Sequence, residues 1–168
     1  PIVLPKDRLL VVTENNGMRL YQFDSAGVPA PTPIGVNEDI VTDTVTPVVV
    51  GGRAYCTSDD ELYCVDLENS LATIWRIRDD AFAGHASLFV NATGDRLLVV
   101  THSGELVLLD PSGRSPRIVS RFSPFSSDEK PELYAEPAFL GDRIYLRGSR
   151  SIRCLMMPEA NLAAATDL

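Results

Sequence analysis

Short apolar runs alternate with glycine- and aspartate-rich turns along this chain, most clearly between residues 46 and 75. A wholly apolar triplet is followed by a glycine pair, which reaches positive φ without a Cβ clash and therefore predicts a turn. Two runs rich in Val, Leu and Tyr then flank a pair of aspartates, as in a β-hairpin. The predicted strands are Val48–Val50, Arg53–Thr57, Leu62–Asp66 and Thr73–Arg76.

The same unit occurs four times. An arginine opens the second strand of each copy, and the successive spacings are 45, 43 and 47 residues, at Arg8, Arg53, Arg96 and Arg143. A period of this size, made of short strands and turns, predicts an all-β fold, a β-propeller of four blades. We place the blades at residues 1–46, 47–86, 87–136 and 137–168 of a single domain, 1–168.

Three copies also carry an aspartate at the end of the third strand, at Asp24, Asp66 and Asp110. A carboxylate at a strand end accepts hydrogen bonds from the amides of the following turn, so these residues are predicted to cap turns. The recurrent arginines are predicted to belong to the scaffold, through local pairing or stacking on strand edges.

The second copy resembles the PQQ-like repeat of quinoprotein alcohol dehydrogenases through its pattern T-P-x-V-x-G-x-R-x-Y followed by L-Y-x-V-D. In that family the motif A-x-D-x-x-T-G-x-x-x-W docks a tryptophan between blades. Here Cys64, Asp66, Asn69 and Ser70 occupy its first four marked positions, and Trp75 comes one residue late. The resemblance implies blade docking by Asp66 and Trp75, a bacterial source, and a periplasmic or secreted location.

The resemblance leaves the function open. The family's enzymes hold PQQ and calcium in the central funnel beside a ring of adjacent cysteines, whereas this chain has no adjacent cysteines and one Trp, taken by the docking position. We therefore predict a non-catalytic propeller that serves as a protein-interaction or ligand-binding scaffold, without catalytic, cofactor or metal residues. The alternatives are a fragment of a quinone-dependent dehydrogenase, or of another propeller enzyme completed by further blades, and a sensor module attached to an effector.

Four blades lie at the small end of the propeller range. The chain opens at Pro1 directly on an inner strand, and its fourth copy ends without a clear outer strand. We expect about the C-terminal half of a seven- or eight-bladed propeller, with a closed four-bladed ring as the alternative. If it is half a ring, a homodimer that completes the propeller is a hypothesis. No apolar run reaches the length of a membrane span.

Acidic residues outnumber basic ones by 23 to 15, and the formal net charge is −8. In a propeller the turns between second and third strands and the connections between blades share one face, where we expect much of this charge. Such a negative face argues against nucleic-acid binding and favours a protein partner with a basic segment. The alternative is that these acids only keep surface loops solvated. Aromatic anchors are predicted beside them, although at least two are expected to tuck over the blade edge. The predicted face comprises Asp39, Asp43, Asp59, Asp60, Asp79, Asp80, Phe122, Phe125 and Tyr134.

Cysteines and histidines suggest no reactive centre. Cys64 and Cys154 share a repeat position, where the first and third copies are aligned on Gln22 and Leu108, and are predicted to be buried thiols. A disulfide between Cys56 and Cys64 across the hairpin is the alternative. The two histidines, His85 and His102, lie on different loops with no spacing that suggests a metal site.

Overall fold

The computed structural model describes residues 1–42, 44–126 and 128–157. In this part of the chain fifteen strands form four antiparallel sheets, each with its strands in sequence order. Sheet 1 comprises β1 (Ile2–Leu4), β2 (Arg8–Thr13), β3 (Gly17–Gln22) and β4 (Gly35–Asn37); sheet 2 comprises β5 (Val48–Val50), β6 (Arg53–Ser58), β7 (Glu61–Asp66) and β8 (Ala72–Arg78). Sheet 3 comprises β9 (Ala86–Val90), β10 (Leu97–Thr101), β11 (Leu106–Asp110) and β12 (Arg117–Phe122); sheet 4 comprises β13 (Ala138–Leu140), β14 (Arg143–Arg147) and β15 (Ile152–Met156).

The predicted turns form where the sequence places them. Gly51 and Gly52 join β5 to β6 with φ of 57° and 78°, a region that glycine enters at little cost. Asp59, at φ 54°, begins the two-residue turn between β6 and β7. The all-β class is confirmed, and the one helical element in the described residues is a 3-10 turn, Asp80–Phe82. Asp79 caps that turn by accepting a hydrogen bond from the amide of Ala81 at 3.0 Å.

The core lies between the sheets. Side chains from sheets 1, 2 and 3 share one apolar cluster, in which Leu10, Leu20 and Leu62 are at most 1% exposed. Burying each such side chain contributes about 1.5–3 kcal/mol relative to leaving it in water. A second, smaller cluster joins sheets 3 and 4 around Leu146 and Phe125. Each sheet therefore depends on its neighbour to cover its apolar face.

Trp75 and Asp66, the residues expected to dock blades, both lie in sheet 2. Trp75 is 5% exposed, its ring centroid is 5.9 Å from that of Tyr55, and its Nε1 has no hydrogen-bond partner within the described ranges. Asp66 accepts a hydrogen bond from the amide of Glu68 at 2.9 Å. Trp75 is thus a core residue, while Asp66 caps the turn that follows its own strand.

All three recurrent aspartates cap turns, as predicted. Asp24 accepts from the amides of Ala26 and Val28 at 2.9 Å, and Asp110 accepts from the amide of Ser112 at 3.1 Å. The alignment of the first copy is wrong, however. Arg8 pairs with Gln22 as Arg53 pairs with Asp66, so Asp24 lies two residues past the strand end.

The similar residues Leu20–Asp24 and Leu62–Asp66 do not occupy equivalent positions. The turn between β2 and β3 spans three residues, Glu14 to Asn16, and the register after it places Leu20–Asp24 two residues beyond the positions of Leu62–Asp66. The residue structurally equivalent to Cys64 is consequently Leu20 rather than Gln22.

Two of the recurrent arginines link neighbouring sheets. Arg8, 8% exposed, donates from Nη1 to the carbonyl oxygen of Leu67 at 3.1 Å and from Nη2 to the Glu68 carboxylate at 2.8 Å. Arg53 donates from Nη1 to the carbonyl oxygens of Pro111 and Ser112, both at 3.2 Å. In each case the arginine of one sheet binds the turn that follows the third strand of the next sheet. This inter-sheet contact goes beyond the local pairing expected from sequence.

The other two arginines pair with the aspartate that precedes them. Arg96 lies 3.2 Å from Asp95, and Arg143 lies 3.8 Å from Asp142. Sheets 3 and 4 are held together instead by aromatic packing, in which the rings of Phe89 and Phe139 meet edge to face at 4.8 Å.

Replacing Arg8 by methionine is expected to lower the free energy of unfolding by about 2–3 kcal/mol, because the carbonyl oxygen of Leu67 would be buried without its charged donor. The measurement is urea denaturation followed by circular dichroism. Arg117→Met is the matched control, since the Arg117 side chain is 69% exposed and its partner Asp110 lies 3.5 Å away. Equal losses in the two variants would contradict a special role for the inter-sheet contact.

Candidate protein-binding rim

The turns between second and third strands meet the connections between sheets, and together they form a rim. Ser58, the last residue of β6, donates from Oγ to the carbonyl oxygen of Val41 at 3.0 Å and accepts from the Val41 amide at 3.0 Å. In sheet 3 the carbonyl oxygen of His102 accepts from the amide of Leu133 at 2.9 Å. Segments remote in sequence are therefore fixed side by side by hydrogen bonds.

The acidic residues of the rim divide into paired and unpaired groups. Asp60 lies 3.4 Å from Arg78, and Asp79 forms an ion pair with Arg121. Asp39, Asp59 and Asp80 are exposed, and among the described residues no basic side chain lies within 4.0 Å of them. Asp43, the remaining predicted acid, lies outside the described residues. Part of the predicted negative charge is thus neutralised, and Asp39, Asp59 and Asp80 are among the rim carboxylates that stay exposed.

Glu61, the first residue of β7, lies beside this rim and is held in place by two side chains of sheet 2. Its carboxylate accepts a hydrogen bond from the hydroxyl of Tyr63 at 2.6 Å and lies 3.6 Å from Arg76. Burial, and secondarily donation to Glu61, raise the pKa of the Tyr63 hydroxyl. Tyr63 therefore remains a neutral donor that orients the Glu61 carboxylate.

The ring of Tyr134 packs against two histidine rings in the same rim. Its side chain is 69% exposed, and its ring centroid lies 4.6 Å from that of His102 and 5.9 Å from that of His85. His85 Nδ1 lies 2.8 Å from the carbonyl oxygen of Thr44, which fixes the imidazole. Nε2 of His85 and Nδ1 of His102 are buried without hydrogen-bond partners in the described part of the chain.

Sequence reasoning did not predict this group, because it placed the histidines on separate loops. The three rings come from the connections before β9 and β13 and from the turn between β10 and β11. The one available signal was that all three segments belong to the predicted rim.

The other two predicted aromatic anchors have different environments. Phe122 is 55% exposed at the end of β12. Phe125 is 8% exposed, and its ring lies so close to Gly104 and Gly148 that a Cβ at Gly104 would approach it to 2.6 Å. The Arg153 guanidinium lies 5.5 Å from the ring centroid. Phe125 therefore packs between sheets 3 and 4, while Phe122 remains accessible.

A polar groove borders the rim beside sheet 4. It has a volume of about 650 Å³ and is lined by the connection 128–132 and the turn 149–151. Glu129 on its wall accepts two hydrogen bonds from Arg153 at 2.8 Å, which ties the connection to β15. A second cavity of about 300 Å³ adjoins it and includes Tyr134 and Arg147.

Comparison with known proteins finds no matching family and no matching curated protein. Several solved structures do match. The C-terminal WD40 domain of Sif2 aligns with 90% of this chain and 43% of its own, with a TM-score of 0.67 and 14% identity. Hsv2 of Kluyveromyces lactis aligns with 91% of this chain and 46% of its own, with a TM-score of 0.59 and 10% identity. WD40 repeats form propeller blades. The four sheets are β-propeller blades.

A putative 6-phosphogluconolactonase from Bacteroides uniformis also aligns, over 94% of this chain and 52% of its own, with a TM-score of 0.58 and 14% identity. At these identities the likeness shows the fold alone. The propeller prediction is therefore confirmed, while the PQQ-like type of blade is not distinguished from others. The chain spans about half the length of these structures.

No three His, Cys, Asp or Glu side chains within the described ranges lie close enough together to hold a metal ion. Among the same residues, no helix is long and apolar enough to cross a membrane.

Cys64 is buried, as predicted, whereas Cys154 is not. Cys56 pairs with Tyr63 and Cys64 pairs with Tyr55, so the two thiols point to opposite faces of the hairpin and all three cysteines are free. The alternative of a hairpin disulfide is therefore wrong. Cys154 is exposed rather than buried, because no other sheet covers that face of sheet 4 in the described structure.

Replacing Phe125 by alanine is expected to lower the free energy of unfolding by about 3–5 kcal/mol, since the ring fills the space between two blades. Urea denaturation measures this loss. Phe122→Ala is the control and is expected to change stability by less than about 0.5 kcal/mol, because Phe122 is exposed. Unchanged stability of the Phe125 variant would contradict its interior packing.

Native-state alkylation should distinguish the three cysteines. Burial raises the pKa of the Cys56 thiol to about 12 and that of the Cys64 thiol to about 11, so few reactive thiolates exist at pH 8. In dilute folded protein, where the chain is monomeric, iodoacetamide is expected to modify only Cys154, and in urea it is expected to modify all three cysteines. Peptide mass spectrometry gives the result, and native labelling of Cys56 at the rate of Cys154 would contradict the placement.

Proposed function

We propose that these blades form a non-catalytic scaffold that binds a basic segment of another protein at the rim. The observation that supports this function is the presence of the exposed carboxylates of Asp39, Asp59 and Asp80 on the rim that also carries the exposed ring of Tyr134. Carboxylates attract lysine and arginine, and an aromatic face adds cation–π contact with either. The combination suits a flexible cationic peptide.

Electrostatics alone would make this binding weak and fast. The net charge of −8 steers basic partners toward the protein, and salt screens that attraction within about 10 Å at 0.1 M. Specific affinity requires an anchor that leaves water on binding. Tyr134 is suited to that role because contacts with His85 and His102 hold its ring in place.

We further propose that the blades are of the PQQ-like type. The T-P-x-V-x-G-x-R-x-Y pattern of the second blade favours the PQQ-like type, and with it a bacterial protein that acts in the periplasm or outside the cell. The scaffold function itself needs neither bound quinone nor calcium.

A second copy of the chain is the other proposed partner. The chain covers 43% of the Sif2 domain and 46% of Hsv2, so a full ring of this kind needs about twice as many blades as one copy supplies. Two copies placed end to end would supply them.

Binding of fluorescein-labelled octa-lysine, followed by fluorescence anisotropy in low salt, tests the rim. The double variant Asp59→Asn with Asp80→Asn is expected to raise the Kd roughly fivefold or more, if each charge contributes about 0.5–1 kcal/mol. Tyr134→Ala is expected to weaken binding further.

The matched control is Asp7→Asn with Asp142→Asn. It removes the same charge from turns between first and second strands, and both pairs include one aspartate at positive φ, which asparagine tolerates. Equal weakening by the two pairs would show that net charge alone attracts the peptide and would refute the rim as the binding face.

A further inference from the structure

The outer face of sheet 4 is an apolar blade surface with no cover in the described structure. Leu140, Ile152 and Met156 are each 69% exposed there, and Cys154 is exposed beside them. The pairing register places these side chains on one face with Tyr145, since Ala138, Tyr145 and Cys154 lie opposite one another across three strands. Phe139, Ile144 and Leu146 alternate with them and face sheet 3.

Sheet 2 carries the same row of residues in a buried setting. Val48, Tyr55 and Cys64 lie opposite one another across its first three strands, in the positions of Ala138, Tyr145 and Cys154. Tyr55 is 1% exposed and Cys64 is fully buried, because this face packs against sheet 3. Leu62 is likewise fully buried, while its counterpart Ile152 is 69% exposed. Sheet 4 therefore presents the surface that a blade uses to bind the next blade.

Arg143 occupies the repeat position of Arg8 and Arg53, but within the described ranges it has no partner in another sheet. It opens the second strand as Arg8 and Arg53 do, and those two donate to the turn after the third strand of the next sheet. Arg143 contacts only Asp142 of its own turn within the described ranges. Its side chain is positioned to donate to the equivalent turn of a following blade.

Sheet 1 presents the complementary face. Val3, Leu9 and Tyr21 lie opposite one another across its first three strands, and Val3 is 75% exposed. The equivalent row of sheet 2 contains Ala54 at 1% exposure and Val65, fully buried, on the face toward sheet 1.

The turn after β3 has the same backbone hydrogen bond as the turn that Arg8 contacts in sheet 2. The Phe23 amide donates to Asp7 as the Leu67 amide donates to Gly52, so Phe23 occupies the place of Leu67.

We infer that the outer face of sheet 4 binds the outer face of sheet 1 of a second copy, and that two such contacts close a ring of eight blades. This inference develops the proposed self-association and does not depend on peptide binding at the rim. The two faces are the opposite surfaces that sheets 1, 2 and 3 already use against one another. In the ring, Arg143 of each copy donates to the carbonyl oxygen of Phe23 in the other.

Sedimentation equilibrium of the 168-residue chain tests the ring directly. The expected mass is twice the 18.3 kDa of one chain. Ile152→Asp on sheet 4 and Val3→Asp on sheet 1 are each expected to raise the dimer Kd at least tenfold, because every interface then contains one buried aspartate. Val119→Asp is the control, since Val119 is 40% exposed on β12, away from both faces, and it should remain dimeric.

Mixing the two variants distinguishes this head-to-tail contact from a symmetric one. A heterodimer of Ile152→Asp with Val3→Asp places both aspartates at one interface and leaves the other interface intact, so mixing is expected to restore dimers. A face-to-face dimer through sheet 4 would be lost in Ile152→Asp but retained in Val3→Asp.

Three outcomes would overturn the inference. They are a sedimentation mass of one chain at a protein concentration of about 100 μM, no recovery of dimers on mixing the two variants, and growth into larger assemblies as the concentration rises. Circular dichroism of each variant is the folding control, and both aspartates are expected to leave the blades folded because Ile152 and Val3 are exposed in one copy.

Discussion

Face-to-face packing of sheets is the interaction on which this structure depends. A strand places alternate side chains on opposite faces, so a sheet of Val, Leu and Tyr has two apolar surfaces to cover. Sheet 2 is covered on both sides, and its strands β6 and β7 are almost wholly buried. Sheets 1 and 4 show the same sequence pattern with one cover removed, because their outer faces are exposed in the described structure of one copy.

The inter-sheet arginines add direction to this packing. Apolar faces attract one another without a fixed orientation, whereas a guanidinium that donates to two oxygens of one turn specifies which turn it meets. Arg8 and Arg53 both extend toward the following sheet, so the stack has a polarity from sheet 1 to sheet 4. That polarity makes the two open faces different from each other, and it is why a head-to-tail contact between copies follows from the internal contacts.

The rim results from the same stacking. Each blade contributes one short turn and one connection to it, and neither is large enough to form a binding surface by itself. Stacking brings Tyr134 from one connection onto His85 from another, and sets Asp39 near the turn that holds Asp59. The candidate site is therefore a property of the assembled blades rather than of any one repeat.

The sequence by itself determined the local structure: the strands, the glycine and aspartate turns, the capping by Asp24, Asp66 and Asp110, and the repeat of four blades. These features rest on chemistry between residues close in the chain, which a single copy already contains. Only the tertiary structure decided which faces are covered. It buried Phe125, exposed Cys154, gave Arg8 and Arg53 their partners in the next sheet, and gathered two histidines under Tyr134. Those outcomes depend on contacts between different blades, with separations of 59 and 58 residues for the Arg8 and Arg53 contacts, and the spacing of residues along one strand carries no information about them.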